Sequence, residues 1–272
     1  MNVVVDSFGQ HFFRLALIEA VLVGAVAGAV GVHVLLRRLP FFVVAMSHAT
    51  FPGVVFGSLL GVSLFAGGAV FGIAIALVIV ALGAVRQIDD SSAIGIVLAG
   101  SFAVGVLVLS AQPGASKDLS AYLVGSILTV TRGDLVTTAA VGAGLLAVLA
   151  AFHKELVLGA FDPAGLTALG YPAGVLDTLV LVVVTVALVV CVPAVGTLLA
   201  VALLTVPALA ARQWTDRVGP MTALAALLGA GSGVIGLCLS AAYDIAAGGA
   251  IALTATALFL LSAAGRSLRH AP

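Results

Sequence analysis

Charged side chains are scarce in this chain of 272 residues, since only 8% of them are Asp, Glu, Lys or Arg, whereas 62% are hydrophobic. Soluble domains carry about 25% charged residues. The composition therefore excludes an ordinary soluble protein and predicts an all-α polytopic membrane protein. Eleven basic and eleven acidic residues cancel, so nothing in the charge predicts nucleic-acid binding.

Cysteine and lysine are also rare, with two of each. Cys191 and Cys238 both lie in apolar segments, which favours free, packed thiols over a disulfide or a metal pair. Neither Lys117 nor Lys154 follows a glycine, so the chain has no Gly-x-x-x-x-Gly-Lys-Ser/Thr phosphate loop. The His-Glu-x-x-His and Gly-x-Ser-x-Gly motifs of intramembrane proteases are absent too. We expect no enzyme activity in this chain, and any ATP must be bound by a partner.

Apolar runs long enough to cross about 30 Å of hydrocarbon predict nine transmembrane helices in a single domain over residues 1–272, although eight or ten remain possible. The first is expected as a retained span rather than a signal peptide. The predicted spans are 15–36, 48–66, 68–85, 92–110, 134–152, 175–193, 195–211, 220–240 and 247–264. Residues 118–130 suit a short surface or re-entrant helix. Six Gly-x-x-x-Gly pairs favour close helix packing without naming a partner.

Basic residues predict the orientation, because loops on the cytoplasmic side are enriched in Lys and Arg. With nine spans and the N-terminus outside, eight basic residues lie inside and three, Arg14, Lys117 and Arg132, lie outside. We therefore expect the N-terminus outside and the C-terminus in the cytoplasm.

An imidazole and a helix-breaking pair interrupt the second span, at Ser47-His48 and Pro52-Gly53. Pro52 has no N–H, so the carbonyl of His48 loses its helical partner. Polar side chains and broken helices at membrane depth are tolerated where they face protein or a water-filled path. One interpretation is a proline kink with a packed histidine. The other is a transport pathway lined by His48 and Ser47.

The longest polar interruption runs over residues 153–172, on the predicted cytoplasmic side. Asp162 before Pro163 is a typical helix start, and Gly170 is a typical helix end. They predict a short helix with Leu166 and Leu169 on one face. It is either a simple connector or a docking element for another protein.

Six motifs in this order resemble the permease subunits of bacterial ABC importers for zinc, manganese and iron ions. They are Gly28-x-x-Gly31 with Leu35-Leu36-Arg37-Arg38; Ser47-His48-Ala49 with Pro52-Gly53; Asp90-Ser91-Ser92-Ala93-Ile94-Gly95-Ile96; Tyr122-Leu123-x-Gly125-x-Ile127-Leu128 with Asp134-Leu135; Lys154-Glu155-Leu156 with Phe161-Asp162-Pro163 and Ala168-Leu169-Gly170; and Gly196-x-Leu198-Leu199-x-x-Ala202-Leu203-Leu204-x-x-Pro207-Ala208.

The resemblance implies a permease, without a permanently bound cofactor, that moves a divalent ion. It implies a second permease copy, identical or related, and an extracytoplasmic metal-binding protein. It also implies a separate ABC ATPase that binds ATP and docks on residues 153–172. Within that segment, the residues that the resemblance assigns to ATPase coupling are Phe161, Asp162, Pro163, Leu166, Leu169 and Gly170. Alternatives are an ABC permease for an organic or chelated-metal ligand and an ATP-independent secondary transporter, although the sequence shows no inverted repeats.

One position departs from the family pattern. The second-span histidine of that family usually follows an Asp by four residues, which places a carboxylate and an imidazole one turn apart. This chain has Val44 there. Few other ionisable residues lie in spans. Glu19, the deepest, is the candidate replacement ligand, whereas His33, Asp177 and Asp244 lie near span ends. The alternative is a symmetric dimer that brings two copies of His48 together at its axis. Residues 134–138 and Asp244 are candidates for the outer vestibule.

Overall fold

The computed structural model describes residues 11–85, 89–110, 125 and 127–269. Within those ranges all regular elements are helical, as predicted. In chain order they are α1 (His11–Leu36), α2 (Pro40–Ala49), α3 (Phe51–Leu59), α4 (Leu64–Gly83), α5 (Asp90–Ser110), a 3₁₀ turn (Ile127–Thr129), α6 (Arg132–Ala151), α7 (His153–Phe161), α8 (Pro163–Ala168), α9 (Ala173–Val195), α10 (Thr197–Arg212), α11 (Val218–Tyr243) and α12 (Ala247–Arg269).

Eight segments of the described chain are long and apolar enough to cross a membrane, with α2 and the start of α3 counted together as Pro40–Gly57. A ninth apolar helix, Leu199–Arg212, is shorter. The prediction of about nine spans is therefore confirmed, with one member below full length. Most of the predicted short helix at 118–130, including Tyr122 and Leu123, lies outside the described residues. Its described end is the 3₁₀ turn.

The predicted bounds of the second span were wrong by about two turns. The span begins at Pro40, whereas 48–66 was predicted. Pro40 suits the first position of a helix, where a missing N–H costs nothing. At the other end the chain turns at Gly61, and the Ser63 side chain caps α4 by accepting from the amide of Ala66 at 3.1 Å. The apolar residues of that turn had extended the predicted span beyond its true end.

Glycines bring α1 and α11 into backbone contact. A Cβ added at Gly233 would lie 2.7 Å from the carbonyl oxygen of Ala20, and Cβ atoms at Gly24 and Gly229 would overlap the opposite helix's backbone. Two of the Gly-x-x-x-Gly pairs, 24/28 and 229/233, thus belong to the same helix contact. The helix α1 also packs against α6, α9 and α10, which places it at the centre of the described helices.

A single residue, Gly196, separates α9 from α10. Its φ of 86° and ψ of 165° lie in a region that is accessible essentially to glycine alone. Gly125 packs directly on this junction, because a Cβ at Gly125 would lie 2.8 Å from the Cα of Gly196. Gly125 therefore covers the point where α9 and α10 meet.

Candidate functional site

The second span is interrupted at Thr50, which separates α2 from α3. The Thr50 hydroxyl donates to the carbonyl oxygen of Met46 at 3.0 Å, and Pro52 in the first turn of α3 contributes no amide. Gly53 lies against α4, since a Cβ there would be 2.7 Å from the carbonyl oxygen of Gly67. The Pro-Gly pair therefore accompanies the boundary between α2 and α3 and a close contact between α3 and α4.

One strip of α2 is open to the surface of the single chain. It comprises Phe41, 49% exposed, Val44, 39% exposed, and His48, which is partly buried. These residues lie one turn apart along a single helix face. Ser47 is buried, and its hydroxyl donates to the carbonyl oxygen of Val44 at 2.7 Å, so it is engaged by its own helix. The open strip places position 44 directly beside the histidine.

Glu19 lies in a different environment. Its side chain is 1% exposed on α1, and its Oε1 accepts from the Thr138 hydroxyl of α6 at 2.7 Å. The Oε2 atom has no hydrogen-bond partner among the described residues. The structure buries this carboxyl between α1 and α6, whereas His48 belongs to the open strip of α2.

The other ionisable candidates have structural partners or positions at helix ends. Asp177 forms an ion pair with Arg37, and the Asp134 carboxylate accepts from the backbone amide of Thr131 at 3.0 Å in a capping box at the start of α6. Asp244 follows α11 in a left-handed conformation. His33 is buried on α1. Among the described side chains, no group of three or more His, Cys, Asp or Glu is placed to hold a metal ion. Cys191 and Cys238 are free, as expected.

The loop at 153–172 folds as two short helices, α7 and α8. The Asp162 carboxylate accepts from the amide of Gly165 at 2.8 Å, which caps α8, and Gly170 has a φ of 85° that favours glycine. The predicted short helix is confirmed. Its proposed apolar face was wrong, because α8 ends at Ala168: Leu166 is 1% exposed, whereas Leu169 is 68% exposed.

An apolar surface remains open around this helix, formed by Phe161, Leu169 and Tyr171, which are 61%, 68% and 43% exposed. On the opposite side, Leu166 packs beside Gly159, where an added Cβ would be 3.1 Å from its Cδ2 atom. The short helix thus packs through Leu166, and exposed apolar residues flank it on both sides in the chain.

Arg37 is a residue whose contacts sequence reasoning missed. Its guanidinium pairs with Asp177 of α9 and also donates to the carbonyl oxygen of Leu156 in α7 at 3.5 Å. The sequence offered Arg37 only as one of two basic residues at a span end, and Asp177 only as a helix-end group. Opposite charges 140 positions apart give no local signal of pairing.

Comparison with known proteins places this fold in a family. The sequence model of the ABC 3 transport family matches residues 10–266. The chain is 36% identical over 252 residues to the manganese import system permease protein ScaB of Streptococcus gordonii, covering 93% of this chain and 90% of ScaB. It is 35% identical over 274 residues to the zinc transport system membrane protein TroC of Treponema pallidum, covering 96% and 91%.

Solved structures agree with the sequence relatives. A chain of PsaBC from Streptococcus pneumoniae, solved in complex with Fab, is similar with a TM-score of 0.86 and 36% identity, covering 95% of this chain and 94% of that one. A putative metal-chelate type ABC transporter in an inward-facing conformation shares the fold, with a TM-score of 0.70 at 21% identity over 93% and 85% of the chains. The motif order, the fold and these matches together establish that the chain belongs to the ABC 3 transport family.

Proposed function

We propose that the chain is the membrane-spanning permease subunit of an ATP-driven importer of divalent metal ions, with Mn²⁺, Zn²⁺ or Fe²⁺ as the substrate. The observation that carries the proposal is the open strip of α2, where a histidine lies on an interrupted membrane helix. Manganese and zinc permeases among the relatives support the substrate class. His48 contributes an imidazole nitrogen, a donor that suits Zn²⁺ and Fe²⁺, whereas Mn²⁺ prefers oxygen ligands.

A second copy of the chain completes the pathway in this proposal. Oligomers of this kind are most often twofold symmetric, so the same surface of both copies meets at one axis. The open strip carries His48, and two facing strips would supply two imidazoles. Val44 contributes no charge, so the ion crosses this chain with weaker anionic ligation than a carboxylate at that position would give. Glu19 is too deeply buried beside Thr138 to belong to the same strip.

Energy comes from a separate ABC ATPase, since the chain lacks a phosphate loop of its own. The ATPase docks on the exposed residues Phe161, Leu169 and Tyr171 around α8. Closure of the ATPase on ATP moves this short helix, and the spans then alternate access to the His48 strip. An extracytoplasmic binding protein delivers the ion to the outer side. The N-terminus lies outside and the C-terminus lies in the cytoplasm.

The test is reconstitution in lipid vesicles of the permease with its ATPase and binding protein, with ATP hydrolysis and ion uptake measured for Mn²⁺, Zn²⁺ and Fe²⁺ separately. We expect at least one ion to stimulate hydrolysis and to accumulate. Failure of all three ions, while the assembled complex binds ATP, would refute the metal assignment.

The role of His48 is tested in the same vesicles. His48→Ala should strongly reduce uptake without reducing insertion, because it removes the only imidazole of the strip. Phe41→Ala is the matched control, since it truncates a neighbour on the same strip that cannot ligate a metal. Normal uptake by His48→Ala would assign this histidine to packing alone.

A further inference from the structure

The cytoplasmic end of α1 is held in an unusual geometry. The amide of Leu39 donates to the carbonyl oxygen of Val34 at 2.9 Å, and Arg38 has a φ of 57°. A left-handed residue after the last helical turn is a common helix ending, but glycine usually occupies that position. Arg38 is exposed, whereas the side chain of Arg37 is only 10% exposed. The turn therefore directs one of two adjacent arginines into the protein.

Arg37 joins three separate helices. It extends from the end of α1, pairs through Nη1 with the Asp177 carboxylate on α9, and donates through Nη2 to the Leu156 carbonyl oxygen on α7 at 3.5 Å. A guanidinium suits such a position, because its planar donors point in several fixed directions, whereas a lysine offers one compact charge. The Arg37 side chain thus connects the loop at 153–172 to α1 and α9.

The same side chain lies beside the packed side of the docking helix. A Cβ added at Gly159 would lie 3.3 Å from Nη2 of Arg37 and 3.1 Å from the Cδ2 atom of Leu166. Leu156 and Leu166 are both buried in the main hydrophobic core. The helix α8 thus contacts α7 through closely packed atoms, and α7 contacts Arg37 through a hydrogen bond.

We propose that Arg37 is the positioning residue that transmits movement of the α7–α8 loop to α1 and α9, through its pairing with Asp177 and its bond to Leu156. This inference rests on the proposed function, since it assigns the loop to an ATPase partner. The backbone contact of α1 with α11 then carries the movement into the centre of the permease. The two ends of the link are a docking surface and the helix at the centre of the fold.

The proposal is tested in the reconstituted complex with three readouts: co-purification of the ATPase, basal ATP hydrolysis, and ion uptake per ATP hydrolysed. Arg37→Gln should leave co-purification and basal hydrolysis unchanged and lower uptake per ATP by at least about fivefold, as expected for loss of a typical coupling between sites. Arg37→Lys should recover only part of the uptake per ATP, because it keeps the charge pair with Asp177 but loses the second donor, which binds Leu156. Arg38→Gln, which removes a neighbouring charge exposed to solvent, is the matched control and should behave as wild type.

Exchange of the two charges separates coupling from folding. Arg37→Asp combined with Asp177→Arg should restore part of the uptake per ATP that either single change loses. If the Arg37→Gln variant does not assemble, uptake per ATP is measured for Asp177→Asn instead. Asp177 is 60% exposed, and its replacement leaves the contact between Arg37 and Leu156 in place. Uptake per ATP equal to wild type in Arg37→Gln, or in Asp177→Asn when the former does not assemble, would overturn the proposal. A wild-type complex without ion-stimulated hydrolysis would refute the proposed function instead.

Discussion

Replacement of Gly233 by alanine is a direct test of the contact between α1 and α11. The new Cβ would lie 2.7 Å from the carbonyl oxygen of Ala20 and 3.2 Å from its Cβ. Ordinary contacts between carbon and oxygen are about 3.3–3.6 Å, so the two helices must separate by roughly 0.6–0.9 Å. A gap of that size removes about a quarter to a half of the dispersion energy between the atoms at the contact of α1 with α11.

The expected cost of this separation is about 1–3 kcal/mol, the usual range for overpacking a well-packed interior. Against it stands the gain of up to about 1 kcal/mol from replacing glycine within a helix. Gly231→Ala isolates that gain, because a Cβ at Gly231, on the same helix, has no neighbour within 4 Å. The difference between the two variants therefore measures the contact itself.

The assay is the thermal unfolding midpoint of the purified protein in detergent, followed by the fraction that remains monodisperse on heating. At about 2–4 °C per kcal/mol for a chain of this size, Gly233→Ala should unfold several degrees below Gly231→Ala. Equal midpoints for the two alanine variants would refute the inference that backbone contact holds these helices together.

Other residues give further predictions. Val44→Asp should tighten binding of a divalent ion to the assembled permease, measured by calorimetry, because it adds a carboxylate one turn from His48. The neutral variant Val44→Asn should not tighten binding. Equal affinities of the two variants would show that position 44 does not face the pathway. Leu169→Glu should weaken binding of the ATPase at least about thirtyfold, as for loss of an interface hot spot of about 2 kcal/mol, and co-purification should fall. Tyr243→Glu, at an exposed site on the predicted outer side, should not weaken it, and unchanged co-purification of the Leu169→Glu variant would refute the docking surface. Thr138→Val should lower stability by about 1–3 kcal/mol by leaving the buried Glu19 carboxyl without its donor. Thr138→Ser keeps the hydroxyl and loses only a buried methyl group, so it should be more stable than the valine variant. A valine variant as stable as wild type would contradict this role of the hydroxyl.

The sequence was sufficient to locate the eight long apolar helices and the shorter ninth of the described chain, because a hydrocarbon crossing demands a long apolar run whatever the helix packs against. Local chemistry also predicted α8, since Asp162, Pro163 and Gly170 act on their own backbone. Boundaries failed where apolar residues continue through a turn, as they do between α3 and α4. Arg37 and Arg38 marked a loop before the second span, but they did not show that the helix begins as early as Pro40.

Tertiary contacts were beyond the sequence for a physical reason. Membrane helices are apolar all round, so hydrophobic periodicity does not tell which face is packed. The pairs 24/28 and 229/233 were visible as motifs, but nothing local joined them to each other. Likewise Leu166 and Leu169 looked equivalent until the end of α8 separated them. For His48 the sequence supplied the residue, and the fold supplied its position on the open strip beside Val44.

The seam between α1 and α11 limits how this permease can change shape. Helices whose backbones touch through glycine cannot slide past one another without lifting apart, so this pair travels as one rigid body. Relative motion must then occur elsewhere, and we expect it near Thr50, where α2 ends and the following Pro52 lacks an amide. Spin labels on α1 and α11 should keep a constant separation throughout the transport cycle. Labels placed on either side of Thr50 should change their separation.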